Sequence, residues 1–314
     1  MAYIELLLGL LFLIGGGNIL VDGSVTIARR FKVSPLLIGL LLVGFGTSMP
    51  ELATSLLAVA RRADGIAIGN VVGSNIANIL LVLGVAAVLR PIKIHTNSFG
   101  RDAIFLGIST IVLLASLLRG HIGWELGALM CMTLAFYVYH AYRTDKTHMK
   151  GHVVEPQPIA LSRRFHVSTP LAVVLTISSL ILLLVGAHMV VNSVVILASH
   201  WGISETIIGL TVVALGTSLP ELVTSIVASV KNQSDVAVGN VVGSNIYNAL
   251  FILGFTALFL PVVVPPSVKP DVLVMAATTM LLLAIGWGRG KIDRWIGGCF
   301  IAMYFMYIIY LGMH

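Results

Sequence analysis

Two carboxylates, Glu51 and Glu221, lie deep inside apolar stretches of this chain, within "GTSMPELATS" (46–55) and "GTSLPELVTS" (216–225). An ionisable group at membrane depth is costly and is kept where an ion or a proton must pass. Neither stretch carries a basic residue that could pair with its glutamate. Polar residues recur around both at helical spacing: Thr47, Glu51 and Ser55, and likewise Thr217, Glu221 and Ser225. A further stripe runs through Asn70, Ser74 and Asn78, with counterparts at Asn240, Ser244 and Asn248. A spacing of four residues puts each set on one helix face. If the stripes converge, carboxylate, hydroxyl and amide oxygens meet without sulfur or imidazole. That is a hard-cation ligand set, suited to Na⁺, Ca²⁺ or Mg²⁺ and ill suited to Zn²⁺ or Cu⁺. Pro50 and Pro220 have no N–H, which leaves the carbonyls of Gly46 and Gly216 without their helical donors. Freed carbonyls are tolerated in a membrane where they line a cavity or bind an ion.

The elements that must carry these residues are membrane helices. Only 10% of the 314 residues are charged and 58% are hydrophobic, with a mean hydropathy of +1.01. A soluble domain carries about 25% charged residues. Apolar runs separated by charged or proline-rich breaks predict ten helices, at 3–22, 35–60, 66–89, 102–118, 122–142, 170–198, 205–230, 236–260, 271–288 and 293–312. The expected fold class is thus an all-α integral membrane protein. One long polar segment, 143–169, divides five helices from five. Of the 19 Lys and Arg residues, 15 fall on the side of the central segment and 4 on the other. The positive-inside rule puts that segment in the cytoplasm and both termini outside, in the cell (inner) membrane. The same bias accounts for the net charge of +6 without nucleic acid. The N-terminus has no basic region before its apolar run and carries Glu5, so it reads as a first spanning helix and not as a cleaved leader.

The two ten-residue glutamate stretches match at eight positions, and "GNVVGSNIAN" (69–78) matches "GNVVGSNIYN" (239–248) at nine. Both pairs are offset by 170 residues without a gap, and the same offset aligns Gly16 with Gly186, Asp22 with Asn192, Ser34 with Ser204 and Gly39 with Gly209. The expected organisation is a first five-helix repeat at 1–142 with its motif region at 44–84, a cytoplasmic linker at 143–169, and a second repeat at 170–314 with its motif region at 214–254. Five spans per copy is an odd number, so the second copy enters the membrane from the opposite side. Inverted repeats with a site at the midplane characterise secondary transporters. Gly69, Gly73, Gly239 and Gly243 form small-residue faces that would let helices pack closely enough for the polar stripes to meet.

Other chemistries fit less well. Cys131 and Cys299 sit far apart in apolar segments and read as packed thiols. His95, His148, His152 and His166 fall in cytoplasmic loops, and His121, His200 and His314 near helix ends; His140 and His188 lie in helices without a second ligand at helical spacing. "GNVVGSN" lacks the Lys and Ser/Thr that close a phosphate loop and follows no strand, which argues against nucleotide binding. No cofactor and no obligate protein partner is implied. An enzyme would need a catalytic His, Lys or Cys beside the glutamates, and a channel would more naturally be built of subunits around a pore.

The paired "GTS[ML]PE" and "GNVVGSNIxN" segments resemble the α-repeats of the calcium/cation antiporter superfamily, most of all prokaryotic sodium/calcium exchangers. The resemblance covers essentially the whole chain. It implies that Glu51 and Glu221 bind Ca²⁺, that Thr47, Thr217, Ser48 and Ser218 add oxygens, that Ser74 and Ser244 line sodium sites, and that Asn78 and Asn248 complete the centre. It also implies that Na⁺ and Ca²⁺ compete for overlapping positions while helices 1 and 6 slide across the rest. Some relatives, including a potassium-dependent branch, carry aspartate at the place of Asn248. Here both mates are asparagine, which gives two formal charges and no expected K⁺ co-transport. Two carboxylates balance one Ca²⁺, and left bare in low dielectric they would oppose translocation of an empty site. That favours exchange over uniport. Protons could also neutralise the pair, so exchange of H⁺ for Ca²⁺ or another divalent cation stays open.

Overall fold

The computed structural model describes residues 2–148, 168–200 and 216–313. Most of the expected linker, the first part of the expected helix 205–230 with Ser204 and Gly209, His152 and His166, and the start of the 214–254 region lie outside them. The described chain is nearly all helical. Helix α1 (Ala2–Phe31) runs nine residues beyond the expected 3–22, because Arg29 and Arg30 close its last turn. The second helix starts at α2 (Pro35–Ile38), where Ser34 Oγ accepts from the Leu37 N–H at 3.1 Å and Pro35 sits where no intrahelical N–H is needed. It continues through a π turn (Gly39–Gly44) into α3 (Phe45–Thr47). Then come α4 (Met49–Ala60), α5 (Asp64–Ala77), a π turn (Asn78–Val82), α6 (Leu83–Leu89), strand β1 (Ile92–Lys93), α7 (Thr96–Leu118), strand β2 (His121–Ile122) and α8 (Trp124–His148). Helix α8 extends six residues into the segment expected as linker. The second half holds α9 (Thr169–His200), α10 (Leu219–Val230), α11 (Ser234–Tyr247), a π turn (Asn248–Ile252), α12 (Leu253–Phe259), β3 (Val262–Val263), a short 3-10 turn (Pro266–Val268), α13 (Lys269–Gly288), β4 (Lys291–Ile292) and α14 (Arg294–Met313).

Among the described residues seven helices are long and apolar enough to cross a membrane, or eight if the bent pair Pro35–Thr47 and Met49–Ala60 is one span. The chain is therefore a multi-pass membrane protein. The bend is 41° at Ser48, so the stretch expected as one helix over 35–60 is broken.

The 170-residue offset reappears element by element. Helix α4 maps onto α10, α5 onto α11, the two π turns onto each other and α6 onto α12. Strand β1 pairs β4 through Ile92 and Ile292, and β2 pairs β3 through Ile122 and Val262; each pairing is the other's image under the offset. The packing of α1 on α9 repeats the rule. A Cβ on Gly186 would meet Gly9 O at 2.9 Å, and one on Gly16 would meet Ser179 O at 3.1 Å, with Gly9 and Ser179 themselves offset mates. Helices α5 and α11 form the middle of the core through Val71, Ile76, Val241 and Ile246, while α1 and α9 lie more to the outside. Cys131 and Cys299 are free thiols.

Buried carboxylates are not confined to the two glutamates. The α7 helix begins before the expected residue 102, which carries Asp102 into its second turn and into full burial. Arg101 donates Nε and Nη2 to it at 2.7 and 2.9 Å, and Tyr137 donates its hydroxyl at 3.2 Å. Asp22, inside α1, pairs with Lys231 at 2.7 Å. Removing one partner of a buried pair leaves the other uncompensated, at a cost of about 3–5 kcal/mol. Asp102→Ala is thus expected to lower the thermal unfolding midpoint of the detergent-solubilised protein strongly. An unchanged midpoint would mean that Arg101 reaches solvent once its partner is gone.

Candidate cation site

The break at Ser48 alters how the glutamates are presented. Met49 and Pro50 open α4, so Glu51 stands in the first turn of a new helix and not in the middle of a long one. Leu219 and Pro220 do the same for Glu221 in α10. The positive end of each helix dipole thus lies at a carboxylate. The polar stripe through Thr47, Glu51 and Ser55 does not run along one straight face: Thr47 ends the segment before the break, and only Glu51 and Ser55 share a helix.

Both glutamates are fully buried, as are Thr47, Ser48, Ser55, Ser218, Ser225, Ser244 and Asn248 to within a few per cent. The repeats interleave at their side chains. The Glu51 carboxylate interacts with the Thr217 and Ser218 hydroxyls of the second repeat and with the charge of Glu221. Glu221 interacts with Thr47 and Ser48 of the first repeat and with Ser244 of its own, the last at 3.5 Å. Thr47 Oγ1 donates to Val43 O at 3.0 Å and to Asn240 Oδ1 at 3.3 Å, and lies 3.5 Å from Ser244 Oγ. Ser244 Oγ donates to Gly44 O at 3.3 Å. Seven of the ten residues expected at the site, Glu51, Glu221, Thr47, Thr217, Ser48, Ser218 and Ser244, are thus in mutual reach. Ser74 is buried on α5, and Asn78 and Asn248 are buried at the first residues of the two π turns.

Asn70 and Asn240, seen in the sequence only as members of the polar stripes, brace the broken helices. Asn70 Nδ2 donates to Glu51 O and to Ser55 Oγ, both at 3.0 Å. Asn240 Nδ2 donates to Glu221 O at 3.2 Å and Ser225 Oγ at 2.9 Å. A second pair, Asn75 and Asn245, links α5 to α11 and was not singled out from the sequence. The offset was the signal that could have found it, since the two are mates within the matched motif.

The donor set fits a cation. Among the described residues, both Glu51 carboxylate oxygens, Glu221 Oε2, the Ser48 and Ser218 hydroxyls, Asn78 Oδ1 and the Asn248 amide are buried without a hydrogen-bond partner. Leaving such groups unpaired costs about 1–3 kcal/mol each, and more when charged. Among the described residues Asp22 and Asp102 have cationic partners, whereas Glu51 and Glu221 have only hydroxyls and each other. Acceptors outnumber donors here, which is the composition of a site completed by a cation.

A multi-pass helical protein with two such carboxylates between broken helices belongs to the class of membrane cation antiporters, not of enzymes. The family model described as "Sodium/calcium exchanger protein" matches residues 1–143 and 171–313, so the chain belongs to the sodium/calcium exchanger family. It is 36% identical to the putative antiporter CaxA of Alkalimonas amylolytica, over 99% of this chain and 98% of that protein. It is 32% identical to the sodium/calcium exchanger MaX1 of Methanosarcina acetivorans, over 98% of each. A solved structure of the sodium-calcium exchanger NCX_Mj soaked with Na⁺ and Sr²⁺ superposes with a TM-score of 0.84 at 32% identity, covering 98% of this chain and 97% of that one.

Proposed function

We propose that the chain exchanges Na⁺ for Ca²⁺ by alternating access, with the ions held at Glu51, Glu221, Thr47, Thr217, Ser48, Ser218, Ser74, Ser244, Asn78 and Asn248. The observation that carries this reading is the surplus of neutral oxygens around the two carboxylates. A proton needs one carboxylate oxygen and nothing more. Na⁺ needs several hard oxygens, and Ca²⁺ needs six to eight with enough negative charge to balance it. Hydroxyls contributed across the repeats, Thr217 and Ser218 to Glu51 and Thr47 and Ser48 to Glu221, supply such a shell.

The architecture behind this reading is ten helices in two inverted five-helix repeats, at 1–142 and 170–314, joined by a cytoplasmic segment at 143–169. Both termini face outward from the cell membrane. The repeated strand pairing and the repeated glycine contacts support an approximate two-fold relation. The 15-to-4 distribution of basic residues supports the orientation. Two buried carboxylates without a cation oppose the movement of an empty site, so each turnover carries Ca²⁺ one way and neutralising cations the other.

The test is ⁴⁵Ca²⁺ uptake by proteoliposomes loaded with Na⁺ in K⁺-free medium, set against uptake under a pH gradient alone. Uptake that follows the Na⁺ gradient without K⁺ is expected. Uptake driven only by the pH gradient would replace Na⁺ by H⁺ as the coupling ion, and uptake needing no counter-ion would point to a channel.

A further inference from the structure

Besides Asn70 and Asn240, each matched motif carries one more asparagine outside the proposed ligand set. Asn75 and Asn245 are buried, and the offset of 170 makes them mates. Asn75 Nδ2 donates to Asn245 O at 3.4 Å, and Asn245 Nδ2 donates to Asn75 O at 3.2 Å. A main-chain carbonyl can only accept, so it fixes which end of each side-chain amide points across the helix pair. Nitrogen must meet the partner's main-chain carbonyl, which leaves the oxygen to accept from another donor. For Asn245 the oxygen so directed accepts Asn78 Nδ2 at 3.0 Å. This in turn fixes Asn78, whose nitrogen is engaged and whose Oδ1 is left buried without a donor among the described residues.

We infer that Asn245 is a positioning residue for the cation site: it orients the Asn78 amide so that a carbonyl oxygen, and not an NH₂ group, is offered to the cation. The inference rests on the reading of Asn78 as a ligand. Turned the other way, the same amide would aim two N–H donors at a positive charge. The device works in one direction only. Asn75 Nδ2 also reaches Met275 Sδ at 3.6 Å, its Oδ1 accepts nothing among the described residues, and neither amide atom of Asn248 is engaged. The acceptor that anchors Asn245 is the main chain of residue 75, not its side chain. Asn75 and Asn245 are therefore matched in packing and unequal in this role.

That inequality supplies the test: calorimetric titration of Ca²⁺ into the purified full-length protein. Asn245→Ala is expected to weaken Ca²⁺ binding about five- to tenfold, the worth of one orienting hydrogen bond. Asn75→Ala is expected to stay within about twofold, because the carbonyl of residue 75 remains. In an Asn78→Asp background, Asn245→Ala is expected to cost nothing further, since a carboxylate offers oxygen in either orientation. Equal losses from the two alanine variants, or the same loss in the Asn78→Asp background, would make the pair a packing clamp and overturn the inference. If Asn245→Ala does not fold, Asn245→Ser is titrated with the same expectation. Glu51→Gln separates the two levels. If it abolishes Ca²⁺ binding while Asn245→Ala does not weaken it, the relay fails and the site stands; if Glu51→Gln binds normally, the site itself is misread.

Discussion

Glu51→Ala and Glu221→Ala are each expected to abolish exchange while leaving the protein folded. Either substitution halves the formal charge facing the cation. Truncating one partner of a buried, hydrogen-bonded charge pair costs about 2–5 kcal/mol, so Ca²⁺ binding should fall roughly 30-fold or more. The effect on the cation-free protein has the opposite sense. There the two carboxylates lie buried with no cationic partner among the described residues and act on each other. Removing one relieves that repulsion and desolvation, so the unfolding midpoint without Ca²⁺ should hold or rise. In the parent protein Ca²⁺ at 100 times the dissociation constant should raise the midpoint, by about 2.7 kcal/mol of stabilisation. In either variant that rise should vanish. The paired measurement is thermal unfolding with and without Ca²⁺ beside ⁴⁵Ca²⁺ uptake. Transport retained by either alanine variant would remove the two-carboxylate site.

The contrast with Asp102 explains what the sequence could and could not convey about that site. Helical spacing and the gap-free offset identified every residue of the polar stripes, because a repeated polar residue in an apolar run has few explanations. Depth alone did not discriminate. Asp102 is as buried as Glu51, and its adjacency to Arg101 was visible in the chain. The difference lies in partners: Lys231, which neutralises Asp22, is 209 residues away from it, and no local pattern encodes such a pairing. The break at Ser48 was half legible. Pro50 announces a lost hydrogen bond, but a proline also suits the first turn of a fresh helix, and the second outcome is the one found, with Pro50 in the first turn of α4. The helix ends shifted for a similar reason. By charge Arg29, Arg30 and Asp145 fall outside the expected spans, whereas α1 and α8 carry them in continued helix, with Asp145 Oδ2 accepting from the Ser34 N–H at 2.7 Å. The offset marks Asn75 and Asn245 as mates, but the hydrogen bonds between them are not legible without a fold, because the acceptors are main-chain atoms.

The convergence of the oxygens depends on glycines, and here the second large effect is expected. A Cβ on Gly239 would stand 2.5 Å from Leu36 O and 3.1 Å from Leu40 N; one on Gly243 would stand 2.8 Å from Leu40 O. The reverse also holds, since a Cβ on Gly44 would meet Ser244 N at 2.9 Å. Every one of these obstacles is backbone, which cannot rotate aside as a side chain can. Gly239→Ala must therefore push α11 away from the segment Pro35–Gly44, at about 1–3 kcal/mol of overpacking. That segment runs on through α3 to Thr47, whose hydroxyl reaches Asn240 Oδ1 and Ser244 Oγ at 3.3 and 3.5 Å, already the outer limit of hydrogen bonding. A shift of a few tenths of an ångström breaks both contacts and draws Thr47 away from Glu221. Gly239→Ala should accordingly lower the unfolding midpoint and weaken Ca²⁺ binding together, although it adds one methyl group and removes no ligand. Gly298→Ala, where the added carbon meets nothing within 4 Å among the described residues, should do neither. A normal midpoint with normal Ca²⁺ binding in Gly239→Ala would show that the helices can separate without cost, and close packing of α11 would then not be what assembles the site.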